Sequence, residues 1–138
     1  METHDINAVV SDNKIREFSA LNLAYIGDTV YDLYVRTHIV KNQMGKVQAL
    51  HKLASGVVNA KAQAQAAKLL LPQLSERETE IFGYGKNTKS RSPKNMSTRD
   101  YSLATAIEAV IGYLHLTGQT ARMDELFGVI IAHFFNSK

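Results

Sequence analysis

Residues 21–35 read Leu-Asn-Leu-Ala-Tyr-Ile-Gly-Asp-Thr-Val-Tyr-Asp-Leu-Tyr-Val, and the arrangement of the whole chain turns on this stretch. At ~100° per residue a helix places Leu23, Ile26, Val30, Leu33 and Tyr34 on one side and Leu21, Tyr25, Val35 and Ile39 on the other. The pattern predicts a helix from about Ser19 to Val40, buried nearly all round, with Gly45 as its cap. Asp28 is the anomaly. It falls on the second apolar side, where an unpaired carboxylate costs several kcal/mol, so the chain has to supply a partner. Gly27 before it costs about 1 kcal/mol relative to Ala in a helix interior, which predicts that a neighbouring element lies close; the alternative is a helix starting at Asp28.

Outward from this helix the chain reads as further helices. Val47, Leu50, Ala54, Val57 and Val58, then Ala62, Ala66, Leu69 and Leu70, give a helical run over residues 46–71 with Gly56 as a possible break and Pro72 as its stop. Ser75-Glu-Arg-Glu78 is a capping box that starts a short helix towards Tyr84. From about Ser97 to Thr117 the stripe Leu103, Ile107, Val110, Ile111 and Leu114 is the most regular of the chain, and Gly118 closes it. Glu108 lies roughly 115° from the centre of that stripe between Ala104 and Gly112, small neighbours that let another helix approach. Its plainer reading is an exposed helix flank. Met123, Leu126, Phe127, Ile130, Ile131 and Phe134 give a last core-facing helix. No stretch alternates as a strand, so the fold class is all-α.

At 138 residues the chain fits one domain able to bury roughly two-thirds of its unfolded surface. It has no cysteine, which removes disulfides, thiolate nucleophiles and zinc ribbons and suits a reducing, cytoplasmic setting. The longest uncharged run, residues 109–121, is far short of the ~20 apolar residues of a membrane span. The five histidines form no His-x-x-x-His pair. Neither a phosphate-binding Gly-x-x-x-x-Gly-Lys-Ser/Thr loop nor a Gly-x-Ser-x-Gly elbow occurs.

Charge is unevenly placed. The net charge is +3, yet Lys86, Lys89, Arg91, Lys94 and Arg99 concentrate five positive charges in residues 86–99 without an acid. Gly, Ser, Asn and Pro make this segment a loop, and its hydroxyls, the Asn87 amide and the cations are phosphate donors; a solvated loop is the simpler alternative. Lys52 and Lys61 read as exposed flanks, and Tyr84 as a residue that stacks on a base or packs on its own domain. Asp28 and Glu108 are the two acids in apolar or small-residue helical settings, and together they suggest magnesium, which is usually held by one or two carboxylates plus substrate phosphates. The inferred reaction is phosphodiester hydrolysis, with water activated by the metal attacking phosphorus.

Two blocks carry a family resemblance. Leu23-Ala-Tyr-Ile-Gly-Asp-Thr-Val30 resembles the signature helix of the ribonuclease III endonuclease domain, Leu-Glu-Phe-Leu-Gly-Asp-Ala/Ser-Val/Ile. Leu103-Ala-Thr-Ala-Ile-Glu-Ala-Val-Ile-Gly-Tyr113 resembles that family's later Ala-Asp-x-x-Glu-Ala-Leu-Ile-Gly helix, and the preceding Gly-x-Gly-Lys and basic loop are similar as well. The order is right, and the resemblance covers roughly Ala20 to the C-terminus. Its details point to the small branch, Mini-ribonuclease III, which has no double-stranded-RNA-binding domain.

Residues 1–17 mix polar and apolar residues with weak periodicity and read as a lead-in, and the resemblance implies one ribonuclease III-like endonuclease domain over residues 18–138, of about five to seven helices. It implies Mg2+-dependent cleavage of double-stranded RNA, precursor large-subunit (23S) ribosomal RNA in particular, giving 5′-phosphate and 3′-hydroxyl ends. The implied partners are a second copy of the chain, with one site per subunit, and a large-subunit ribosomal protein. Carried over by position, Asp28 and Glu108 are the metal-binding catalytic residues. Ala24 and Thr105 depart from the larger members, which carry Glu and Asp there, so at least one metal ion is expected. The alternative is a non-catalytic RNA-binding or ribosome-assembly protein on the same fold; a purely structural dimerisation module is a third.

Overall fold

A computed structural model describes residues 5–42, 45–88, 92, 94 and 96–135. Among them there are six α-helices and no strand: α1 (Ala20–Asn42), α2 (Val47–Ser55), α3 (Ala60–Leu70), α4 (Glu76–Lys86), α5 (Thr98–Leu116) and α6 (Thr120–Phe135). Short 3-10 turns at Asp12–Glu17 and Leu71–Gln73 precede α1 and α4.

The starts of the helices follow local chemistry. Backbone N–H groups left over at a helix N-terminus take side-chain acceptors. Ser19 Oγ accepts from Asn22 N–H at 3.0 Å, Asn59 Oδ1 from Ala62 N–H at 2.9 Å, and Ser97 Oγ from Asp100 N–H at 3.0 Å. The capping box is complete, with Ser75 Oγ accepting from Glu78 N–H at 3.1 Å and Glu78 Oε1 accepting from Ser75 N–H at 2.9 Å. Gly56 does break the 46–71 run: α2 ends before it and Asn59 starts α3. Gly118 at φ +71° reverses the chain between α5 and α6; among the described residues it is the only glycine with positive φ. Gly45 is therefore not a left-handed cap. Instead the Asn42 side chain donates to the His38 carbonyl at 2.9 Å at the end of α1.

The helix buried nearly all round is α5, not α1. Every residue from Leu103 to Leu114 except Glu108 is buried, and α1, α3 and α4 pack around it. The cause is composition: from residue 101 to 116 Glu108 is the only acid or Lys/Arg, and Ala104, Ala106, Ala109 and Gly112 let neighbours approach from several directions. Conversely α1 is sided. Leu23, Val30, Tyr31, Val35 and Ile39 are buried, while Leu21, Tyr25, Leu33 and Val40 are exposed at 42%, 81%, 61% and 68%.

The lead-in is tied to the domain from residue 9 onward. Val10 N–H donates to the Leu116 carbonyl at 2.8 Å, Ile15 is buried, and Asp12 pairs with Arg77 at 3.1 Å. Elsewhere Glu78 is buried and accepts from both Nε and Nη2 of Arg122 at 2.9 Å, joining α4 to α6.

Candidate active site

Helices α1 and α5 run antiparallel and meet backbone to backbone. A Cβ on Gly27 would overlap the Glu108 carbonyl oxygen, and a Cβ on Gly112 would overlap the Leu23 carbonyl. Gly27 thus lies inside a helix because α5 passes against it, and the reading of Asp28 as a helix start does not hold. This crossing sets Asp28 beside Glu108. The two line one cleft with Leu21, Ala24, Tyr25, Tyr101 and Thr105.

Burial within the pair is the reverse of the sequence expectation. Asp28 is exposed, as is Tyr25 one turn before it at 81%. Glu108 is the half-buried member, so it bears the desolvation cost. Burial first, and the Asp28 carboxylate second, push the Glu108 carboxyl up to about 9, opposed by an N–H donated from Gln63. At neutral pH the protonated form of Glu108 is therefore favoured beside the Asp28 carboxylate. A cation held between the two carboxylates would favour their ionised forms.

Gln63 is a site residue that the periodicity of the chain did not single out. Its Nε2 donates to Glu108 Oε2 at 3.2 Å, and the residue is 5% exposed. The signal was available: at ~100° per residue Gln63 falls in the middle of the apolar face of α3, between Ala62, Ala66, Ala67 and Leu70. Asp32, one turn beyond Asp28, lines a second recess with Asp28 and Thr29, but accepts from Arg36 Nε at 2.9 Å.

The departures at Ala24 and Thr105 have structural form. Ala24 is buried, and the buried Thr105 turns its hydroxyl back onto its own helix, donating to the Tyr101 carbonyl at 2.9 Å. Neither adds a charged oxygen. Among the described residues no group of three or more His, Cys, Asp or Glu side chains is placed to hold a metal; Asp28 and Glu108 are the two carboxylates that line this cleft. Two carboxylates in an open cleft fit a hard cation that completes its octahedron with water and substrate phosphate; they do not make an all-protein cage.

The basic residues divide. Lys86 and Asn87 end α4, Lys94 lies in the connection, and Arg99 is in the first turn of α5; all four are exposed. Lys89 and Arg91 lie outside the described residues. Gly85 carries the end of α4 onto α5, where a Cβ would sit 2.9 Å from Ala106 Cα and 3.2 Å from the Thr105 carbonyl. The Lys86 backbone is thereby brought within about a turn of Glu108 along α5. Tyr84 packs on its own domain, donating to the Phe18 carbonyl at 2.9 Å. Lys52 and Lys61 are exposed helix flanks. No helix is long and apolar enough to cross a membrane among the described residues.

The family model described as Ribonuclease III domain matches residues 21–119. The chain is 45% identical over 108 residues to the Mini-ribonuclease 3 of Desulfitobacterium hafniense, covering 78% of this chain and 69% of that protein. It is 41% identical over 123 residues to the Mini-ribonuclease 3 of Staphylococcus aureus, covering 87% and 92%. A Fusobacterium nucleatum protein solved by X-ray crystallography superposes with a TM-score of 0.79 at 29% identity, covering 87% of this chain and 97% of that one. With the Gly27–Glu108 crossing falling inside the matched span, the chain belongs to the ribonuclease III family, in its Mini-ribonuclease 3 branch.

Proposed function

We propose that this chain is a magnesium-dependent endoribonuclease that cleaves double-stranded regions of RNA, acting in the cytoplasm on precursor large-subunit (23S) ribosomal RNA as a homodimer. The observation that carries the reading is that Asp28 and Glu108 line one cleft at the α1–α5 crossing, each in the motif position of a family carboxylate. Asp28 from the solvent side and Glu108 from the α5 side hold the cation. When bound, Mg2+ supplies positive charge to the phosphoryl oxygens and makes water a better nucleophile.

The protein's own part is placement. Charge on Lys86, Lys94 and Arg99 holds the sugar–phosphate backbone without reading bases, which suits a substrate recognised by its duplex form. Leu21 and Tyr25 are exposed apolar residues of α1 that line the cleft with Asp28, and a second copy covering them would exclude water from one side of the cleft. A large-subunit ribosomal protein on the same precursor is the accessory partner of this reading.

The test is incubation of the purified protein with long duplex RNA in magnesium and then in EDTA, with sedimentation to measure its mass. Metal-dependent shortening to 5′-phosphate fragments by a dimer is expected. Binding without cleavage supports the non-catalytic reading, which the apolar Ala24 and the back-bonded Thr105 favour.

A further inference from the structure

Glu108 sits on a helix otherwise buried around it; its carboxyl group accepts from Gln63 of α3 and lines one cleft with Asp28 of α1. Gln63 is no surface residue that happens to reach inward. It is 5% exposed in the middle of the alanine-rich face of α3, where a buried amide costs about 1–3 kcal/mol unless it finds a partner. Its Nε2 takes Glu108 Oε2 at 3.2 Å. The terminal torsion of a glutamate is broad and roughly two-fold, so one anchored oxygen decides where the other points. The hydroxyl of Tyr31 is buried on the same helix as Asp28, its ring packed edge-on against Phe127 at 5.4 Å, but has no hydrogen-bond partner among the described residues. Among the described residues Gln63 is therefore the uncharged side chain that fixes this carboxylate.

We propose that Gln63 is a positioning residue: its N–H anchors Glu108 Oε2 so that the remaining oxygen of Glu108 is presented beside Asp28 as a ready-made half of the cation site. The inference rests on the reading of Glu108 as a cation-holding carboxylate. It adds that a residue of α3, remote from both family motifs, sets the affinity of the site. A buried amide that merely satisfies itself would affect stability alone.

Gln63→Met keeps length and volume and removes the N–H. Manganese, a magnesium substitute visible by electron paramagnetic resonance, is titrated into the unaltered protein, Gln63→Met and Glu108→Gln. In parallel, the magnesium dependence of duplex cleavage separates half-saturation from the rate at saturation. Removing a partner of this kind should weaken manganese binding and raise half-saturating magnesium by about tenfold each, with the rate largely restored at saturating metal. Glu108→Gln should lose the manganese site. If Gln63→Met melts earlier but leaves manganese affinity and half-saturation unchanged, Gln63 is a core amide and the inference is overturned, while the reading of Glu108 stands. If Glu108→Gln binds manganese as the unaltered protein does, that reading fails and the inference fails with it. Should Gln63→Met not fold, Gln63→Asn, which keeps the amide but withdraws it by one methylene, is judged by the same two measurements.

Discussion

Gly27 of α1 lies directly against the backbone carbonyl of Glu108 on α5, with no room for even a methyl group between them. The crossing that holds the two helices together is thus also what sets Asp28, the next residue, beside the Glu108 side chain. Gly27→Ala should cost roughly 1–3 kcal/mol or more, since overlap with backbone cannot be relieved by a rotamer change. It should also lower cleavage beyond its effect on folding. Gly83, in α4, is the control: a Cβ there meets nothing within 4 Å. Gly83→Ala should stabilise the protein by roughly 0.5–1 kcal/mol. Thermal melts of both variants, with cleavage assayed well below the melting temperature, decide the point.

Asp28→Asn leaves the exposed face of α1 nearly unchanged in shape and removes one of the two carboxylates. Cleavage of duplex RNA should be abolished while duplex binding survives, measured on the same preparation by gel assay and filter binding. Full activity in this variant removes Asp28 from the metal site.

Glu108 gives a pH signature to the metal-free protein. Its carboxyl is pushed up to about 9 in the fold, by burial and then by Asp28, against the ordinary carboxylate range in the unfolded chain. Between those two values the folded state binds the extra proton, so stability falls as pH rises towards 9 and this contribution is flat below the ordinary range. In EDTA, Glu108→Gln, which cannot ionise, should lose that slope and melt above the unaltered protein at pH 8. A parallel pair of melting-temperature profiles would count against the assignment.

Replacing Lys86, Lys94 and Arg99 by glutamine should weaken duplex binding about equally for different sequences. The salt dependence of log K should flatten by about one unit for each phosphate that is no longer neutralised. Binding measured from low to moderate salt gives the slope, and an unchanged slope removes these residues from the RNA interface.

The bidentate Arg122–Glu78 pair fastens α6 to the start of α4, outside the cleft. Arg122→Ala leaves a buried carboxylate without its cation and should cost about 3 kcal/mol, the range for breaking a buried pair from one side. Denaturant unfolding should show it, with cleavage at low temperature largely kept.

The helices and their order are legible along the chain, because caps, glycines and apolar periods act over a few residues: Ser75 with Glu78, Asn59, and Gly118 each work within one turn. Asp28 and Glu108 stand out in the same way, since an acid among apolar and small residues is a local fact. Which helix is enclosed, and which acid bears the burial, depends instead on how the helices pack. Periodicity along α1 marks apolar positions but not whether anything packs on them, so Tyr25 and Leu21 read as core and stand exposed. α5 is enclosed because small residues on several of its sides admit α1, α3 and α4 together, a property of the neighbours as much as of the helix. Gln63 reaches Glu108 across 45 residues of chain, and a hydrogen bond at that separation leaves no periodic trace beyond one polar residue on an apolar face.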